Sequence, residues 1–183
     1  MEKATLSCVQ RVIFVLLSTY LSKGSAQQIH NVTIDDQTGD AVTKALPTYF
    51  PSGSTDFWLQ GAENKACVLC PDPAQAVGGT WHDATSTPDK PRSFSATFVG
   101  SAVYVYFILP NTSNDTDPTN VSFQLDGETA GTFAHTPNPA LQSFQYNVPV
   151  FIKMGLENTS HSLLVSMSPT QQTNILFDYI IYS

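Results

Sequence analysis

Residues 93–109 read S-F-S-A-T-F-V-G-S-A-V-Y-V-Y-F-I-L, and this stretch decides the fold. Phe94, Ala96 and Phe98 alternate with Ser93, Ser95 and Thr97, the period-2 pattern of a strand with one buried face. From Ala102 to Ile108 the chain is β-branched and aromatic on both faces, as in a strand lying deep in a sandwich. Gly100-Ser101 between them reads as a tight turn. The expected unit is a β-hairpin, and the expected class is all-β and antiparallel.

Downstream the same alternation predicts strands at 121–125, 131–135, 143–152, 161–167 and 174–182. Asp126-Gly127 is a hairpin turn signal, and residues 155–158 serve as a later turn. Short strands at this spacing predict an antiparallel β-sandwich. Counting reversals sorts the connections into two ends. Residues 100–101, 126–130 and 155–160 fall at one end; 83–91, 110–120, 136–142 and 168–173 gather at the other.

Upstream the pattern is weaker. Residues 29–34 (I-H-N-V-T-I) predict a first strand, ended by the acidic run Asp35, Asp36 and Asp40. Residues 41–75 are rich in Pro and Gly and predict an irregular wrap with short strands such as 57–59; 40–45 has a weak helical pattern. The expected division is a signal segment at 1–26 and a single domain at 27–183, irregular at 27–77 and regular at 78–183.

Residues 1–26 have a short charged start, an apolar centre (V-I-F-V-L-L, 12–17) and small residues at Gly24-Ser25-Ala26, the plan of a secretory signal peptide. Arg11 limits the apolar run to about ten residues, well under the ~20 of a membrane span, so cleavage is expected rather than retention as an anchor. The expected location is extracellular, with no transmembrane span in the mature chain. The formal charge of the chain is −7, and loss of Glu2, Lys3, Arg11 and Lys23 leaves −9. The remaining cations, Lys44, Lys65, Lys90, Arg92 and Lys153, form no patch. A phosphate backbone would be repelled, which excludes nucleic acid as a partner.

Five acceptor triplets, at Asn31, Asn111, Asn114, Asn120 and Asn158, fit an N-glycosylated secreted protein. In C-V-L-C, Cys67 and Cys70 predict a local disulfide in an oxidising compartment, worth roughly 2 kcal/mol by loop entropy before strain. A thioredoxin-like redox pair would need a helix N-terminus in a βαβ unit, and zinc would need further ligands; neither is expected.

T-F-V-G-S-A-V-Y-V-Y, F-Q-L-D-G, H-S-L-L-V-S-M and L-F-D-Y-I-I-Y, in that order, resemble the galactose-binding-domain-like jelly roll. G-T-W-H-D, the L-D-G turn and the terminal F-D-Y strand resemble more closely a group of fungal secreted or membrane-anchored surface proteins built on it, with no assigned activity. The resemblance covers about residues 78–183. It implies a jelly roll whose relatives bind sugars through loops at one end, some with a structural calcium. Members of that group often continue into a Ser/Thr-rich stalk and a membrane helix, and this sequence stops at Ser183.

Trp81, His82 and Asp83 are the candidate ligand-binding residues. An indole face can stack on the C–H face of a sugar while His and Asp hydrogen-bond its hydroxyls. The competing reading has Trp81 plugging the sandwich end and Asp83 capping a turn. Asp35, Asp36 and Asp40 match no EF-hand spacing and read as a solvated acidic turn, so no metal and no cofactor is expected. Asp178, flanked by core residues, must be hydrogen-bonded if buried. No G-x-S-x-G elbow is present, and His30, His82, His135 and His161 are isolated, so no catalytic residue is expected. The function expected is a non-catalytic module that binds carbohydrate at rim loops. The alternatives are a structural or protein-interaction domain of the cell envelope and a small wall-polymer hydrolase.

Overall fold

The computed structural model describes residues 30–52, 58–63, 70–113 and 116–183. The segment read as a signal, Cys67 and Asn114 lie outside the described residues. Among the described residues ten antiparallel strands form one hydrogen-bonded network: β1 Val32–Asp35, β2 Gly39–Asp40, β3 Thr48–Phe50, β4 Leu59–Gln60, β5 His82–Ser86, β6 Ser93–Pro110, β7 Thr119–Leu125, β8 Glu128–His135, β9 Phe144–Met167 and β10 Thr173–Tyr182. Its helical pieces are short 3-10 turns at Gly61–Glu63, Pro73–Gln75 and Val77–Gly79. Residues 40–45, with their weak helical pattern, form a turn after β2. Among the described residues no helix is long and apolar enough to cross a membrane.

The network closes into a β-sandwich because its two longest strands fold over together. β6 is continuous through Gly100 and Ser101, so the expected hairpin is absent: its halves do not pair with each other. Each pairs instead with β9, Ser93–Gly100 against Thr159–Ser166 and Ala102–Pro110 against Phe144–Met154. Phe94 and Phe107 would stand about 43 Å apart on a straight strand, yet their ring centroids are 6.5 Å apart. The halves of β6 therefore face one another across the core. β9 does the same at residues 155–158, where Phe151 of its first half stacks at 4.6 Å on Phe123 of β7, the partner of its second half. Strands that change layer at a bulge are a known way of making a sandwich corner.

The bulge also resets the alternation. Phe94, Ala96 and Phe98 point inward before it, and Val103, Val105 and Phe107 after it, all buried. A one-residue slip flips every side chain, so the register shift between Gly100 and Ala102 is what keeps both halves apolar side in. Gly100 is needed for closeness: a Cβ there would lie 2.6 Å from the Ser183 carbonyl oxygen, which accepts from the backbone N–H of Ala102 at 3.1 Å.

An out-of-plane fold reverses the chain as a hairpin does, so the expected grouping of loops survives. Ser168 N–H donates to Asn120 O (2.8 Å), Met167 N–H to Arg92 O (3.0 Å) and Asn111 N–H to Ser143 O (2.7 Å), joining four connections at one end. At the other end Asp126-Gly127, with φ of 55° and 85°, forms the expected tight turn between β7 and β8. His161 Nδ1 lies 2.7 Å from Asp126 Oδ2 and Nε2 lies 2.8 Å from Glu157 O. The Asp126 carboxylate and the Glu157 carbonyl raise the pKa of His161. The clamp's contribution is fully present below about pH 6.5 and is lost as pH rises through the raised value. Amide exchange at Asp126 and Gly127 is expected to quicken across that interval in wild type but not in His161→Asn; equal profiles would show that the clamp carries no charge.

Candidate functional site

Trp81, His82 and Asp83 do not form a rim loop: they lie beside the middle of β10 and turn into the protein. β5 occupies residues read as a loop, pairing His82 with Phe177 and Asp83 with Leu176 of β10. Trp81 is 2 % exposed and packs with Ile108 and Leu176 in a small second core on the outer side of the sheet. The glycine at 61 admits it: a Cβ there would lie 1.7 Å from Trp81 Nε1, while Gly61 N–H donates to Trp81 O at 2.7 Å. This indole presents no open face for a sugar.

His82 is buried, stacked on Tyr49 at 4.1 Å, with Nδ1 2.7 Å from Asp36 Oδ2. Asp83 accepts from Asn174 Nδ2 at 3.2 Å; burial raises its pKa, with Asn174 and Arg92 opposing. Both residues brace β5.

The acidic run is not a solvated turn either. Asp35, Asp36 and Asp40 are buried at 6 %, 1 % and 1 % exposure, and each carboxylate is hydrogen-bonded. Asp35 Oδ1 accepts from the N–H groups of Gln37 and Thr38. Asp36 Oδ1 accepts from Thr80 Oγ1 at 2.6 Å. Asp40 accepts from Val42 and Thr43 N–H and from Tyr182 OH. Asp178, buried as expected, takes Val77 N–H on Oδ1 at 3.0 Å. Its Oδ2 has no partner among the described residues. Burial first, then the charges of Asp36 and Asp35, push its pKa up to about 7 against the pull of Val77 N–H. No group of three or more His, Cys, Asp or Glu among the described residues is arranged to hold a metal ion.

Above the Trp81 core lies an open cleft of about 320 Å³, lined by Cys70, Asp72, Gln75, Gln142, Ser143, Phe144 and Tyr146. Phe144 and Tyr146 pack onto the Trp81 cluster from outside, their ring centroids 6.4 Å apart. They lie two apart on β9 and so share a face. Opposite them, Asp72 caps the turn Pro73–Gln75 by accepting from Ala74 N–H at 3.0 Å, and its second oxygen accepts from Gln75 Nε2 at 3.3 Å. The walls are joined by Asp72 N–H donating to Tyr146 OH. Burial, with the charges of Asp72 and Asp178, raises the Tyr146 pKa, so the phenol keeps a proton to donate. Cys70 is disulfide-bonded; both other cysteines are outside the described residues, so pairing with Cys67 is a proposal.

Two rings, a carboxylate, two amides and hydroxyls around one opening can cover the C–H face of a polyol and hydrogen-bond its hydroxyls. Sequence reasoning passed over these residues because the walls come from segments some seventy residues apart. The one local signal was F-Q-Y at 144–146, aromatics at i and i+2 beside a Gln.

No family model matches the sequence, and no curated protein sequence matches it. The fold is similar to solved structures. One is a family 35 carbohydrate binding module from Clostridium thermocellum (TM-score 0.51, 6 % identity, covering 85 % of this chain and 99 % of that one). Another is the CBM36-1 domain of a multidomain xylanase from the hindgut metagenome of Trinervitermes trinervoides (TM-score 0.44, 11 % identity, 83 % and 95 %). A third is an exo-beta-1,3-galactanase from Phanerochaete chrysosporium (TM-score 0.48, 15 % identity, 84 % of this chain and 30 % of that one). At these identities the likeness is one of fold. It agrees with the sandwich expected from the galactose-binding-like motifs, while no sequence match ties the chain to fungal surface proteins.

Proposed function

We propose that this protein is a secreted, non-catalytic carbohydrate-binding module, and that the cleft between residues 70–75 and 142–146 holds the sugar. The observation that carries the reading is the composition of that opening: Phe144 and Tyr146 offer rings, while Asp72, Gln75 and Gln142 offer hydroxyl partners. The similarity in fold to a family 35 carbohydrate binding module supports it. A single carboxylate among the lining residues suits hydroxyl recognition; hydrolysis by opposed carboxylates would require a second. An acidic chain favours a neutral sugar over an anionic one.

Affinity electrophoresis in soluble glucan, xylan and galactan, followed by calorimetry on the retarding polymer, tests the proposal. Tyr146→Ala and Gln142→Ala are each expected to weaken binding at least tenfold, equivalent to about 1.4 kcal/mol. Gln124→Ala on β7 should change nothing. Retention that survives both cleft substitutions would move the site elsewhere, and no retention across polymers and a glycan array would support an interaction domain without a sugar ligand.

A further inference from the structure

At the opposite end of the sandwich a groove lies beside two exposed acceptor triplets, Asn31 and Asn158, and only Asn158 lines it. Asn158 stands on the crest of the β9 bulge, where residues 155–158 are inserted opposite Ser101. It is exposed and lines a groove of about 590 Å³ with Val32, Val42, Val99, Leu156 and Tyr182. Val42 and Val99 are 68 % and 59 % exposed, two valines left in water beside the hydroxyls of Thr43 and Ser101. Asn111 is its opposite. It is 1 % exposed, its Nδ2 donates to Gln142 O at 3.2 Å and its Oδ1 accepts from Asn138 N–H at 2.8 Å, so no glycan fits there in the folded state. Asn120 is half-buried within β7, whose ladders run to β8 and β9 on either side.

We propose that Asn158 is N-glycosylated and that the groove seats the reducing-end N-acetylglucosamine rings of its own glycan. Asn158 Nδ2 bonds to the anomeric carbon of an oligosaccharide carried on a polyprenyl pyrophosphate. The carbon–oxygen bond to pyrophosphate breaks, the pyrophosphate leaves with the electron pair, and the amide loses one proton. The volume falls within the roughly 300–1,000 Å³ of small-ligand clefts. Acetamido methyl and ring C–H groups would take Val42 and Val99 out of water, and the covalent link supplies a high effective concentration. This inference does not depend on the sugar-binding cleft, which lies at the other end.

The test is expression of the full chain behind a host leader in a eukaryotic secretory cell, with peptide mapping after enzymatic deglycosylation in heavy-oxygen water. Label at residue 158 in most molecules, and none at 111, is expected; an unmodified Asn158 overturns the site. For the seat, the glycosylated protein should melt about 3 °C above Asn158→Gln, and Val42→Ser should shrink that gap. Equal melting of glycosylated and Asn158→Gln protein, or a gap indifferent to Val42→Ser, overturns the seating.

Discussion

Gly61→Ala is expected to lower stability by about 3 kcal/mol, seen as a fall of roughly 6–12 °C in melting temperature, and to abolish ligand retention. The new methyl would lie 1.7 Å from Trp81 Nε1 and 2.2 Å from its Cε2. The backbone of the turn at Gly61 cannot retreat without breaking the Gly61 N–H to Trp81 O hydrogen bond. The indole must therefore move, and Phe144 and Tyr146 pack against the cluster it belongs to. Gly127→Ala is the control. A methyl there meets nothing within 4 Å, so its cost is only that of left-handed backbone at φ +85°, about 1 kcal/mol. Trp81→Phe should partly rescue Gly61→Ala, the coupling expected of residues in contact. Similar losses for the two glycine variants, or no coupling with Trp81→Phe, would show that Trp81 does not support the cleft through Gly61.

The second large effect is expected at Asp178. Its folded-state pKa of about 7 lies above the ordinary 3.8. Stability from this group is thus fully present below about pH 3.8 and is lost as pH rises through about 7, because the folded state must then hold a buried charge beside Asp35 and Asp36. Asp178→Asn keeps the acceptor for Val77 N–H and sets an uncharged amide where Oδ2 has no partner among the described residues. Wild type and variant should melt alike near pH 4. At pH 8 the variant should be more stable by on the order of 2 kcal/mol after allowance for screening, roughly 4–8 °C. A variant whose melting temperature follows pH as wild type does would place the titration in another group.

Much of the sandwich was legible locally. The inward Phe94, Ala96 and Phe98, the apolar run after Ala102 and the Asp126-Gly127 turn are each written in neighbouring residues, because strand alternation and turn chemistry are short-range. Gly100-Ser101 reads as a hairpin because an in-plane turn and an out-of-plane fold reverse the chain alike. Only pairing with β9 tells them apart, and that partner lies some sixty residues away. Asp35, Asp36 and Asp40 read as solvated because charge in a Gly-containing turn usually is. Asp36 and Asp40 are held by Thr80, His82 and Tyr182, which arrive from the turn before β5, from β5 and from β10.

What the sequence determined by itself is the class of structure: alternating and doubly apolar segments can bury their hydrophobic faces only by pairing edge to edge and packing face to face. What the tertiary structure alone decided is where each face ends up. Trp81 became part of the core beneath the cleft instead of an open surface, since the gap left by Gly61 takes the indole between Ile108 and Leu176. The cleft exists because Asp72 and Tyr146, seventy-four positions apart, meet in a hydrogen bond. A contact between distant segments depends on how the layers close, and no local pattern of residues encodes that.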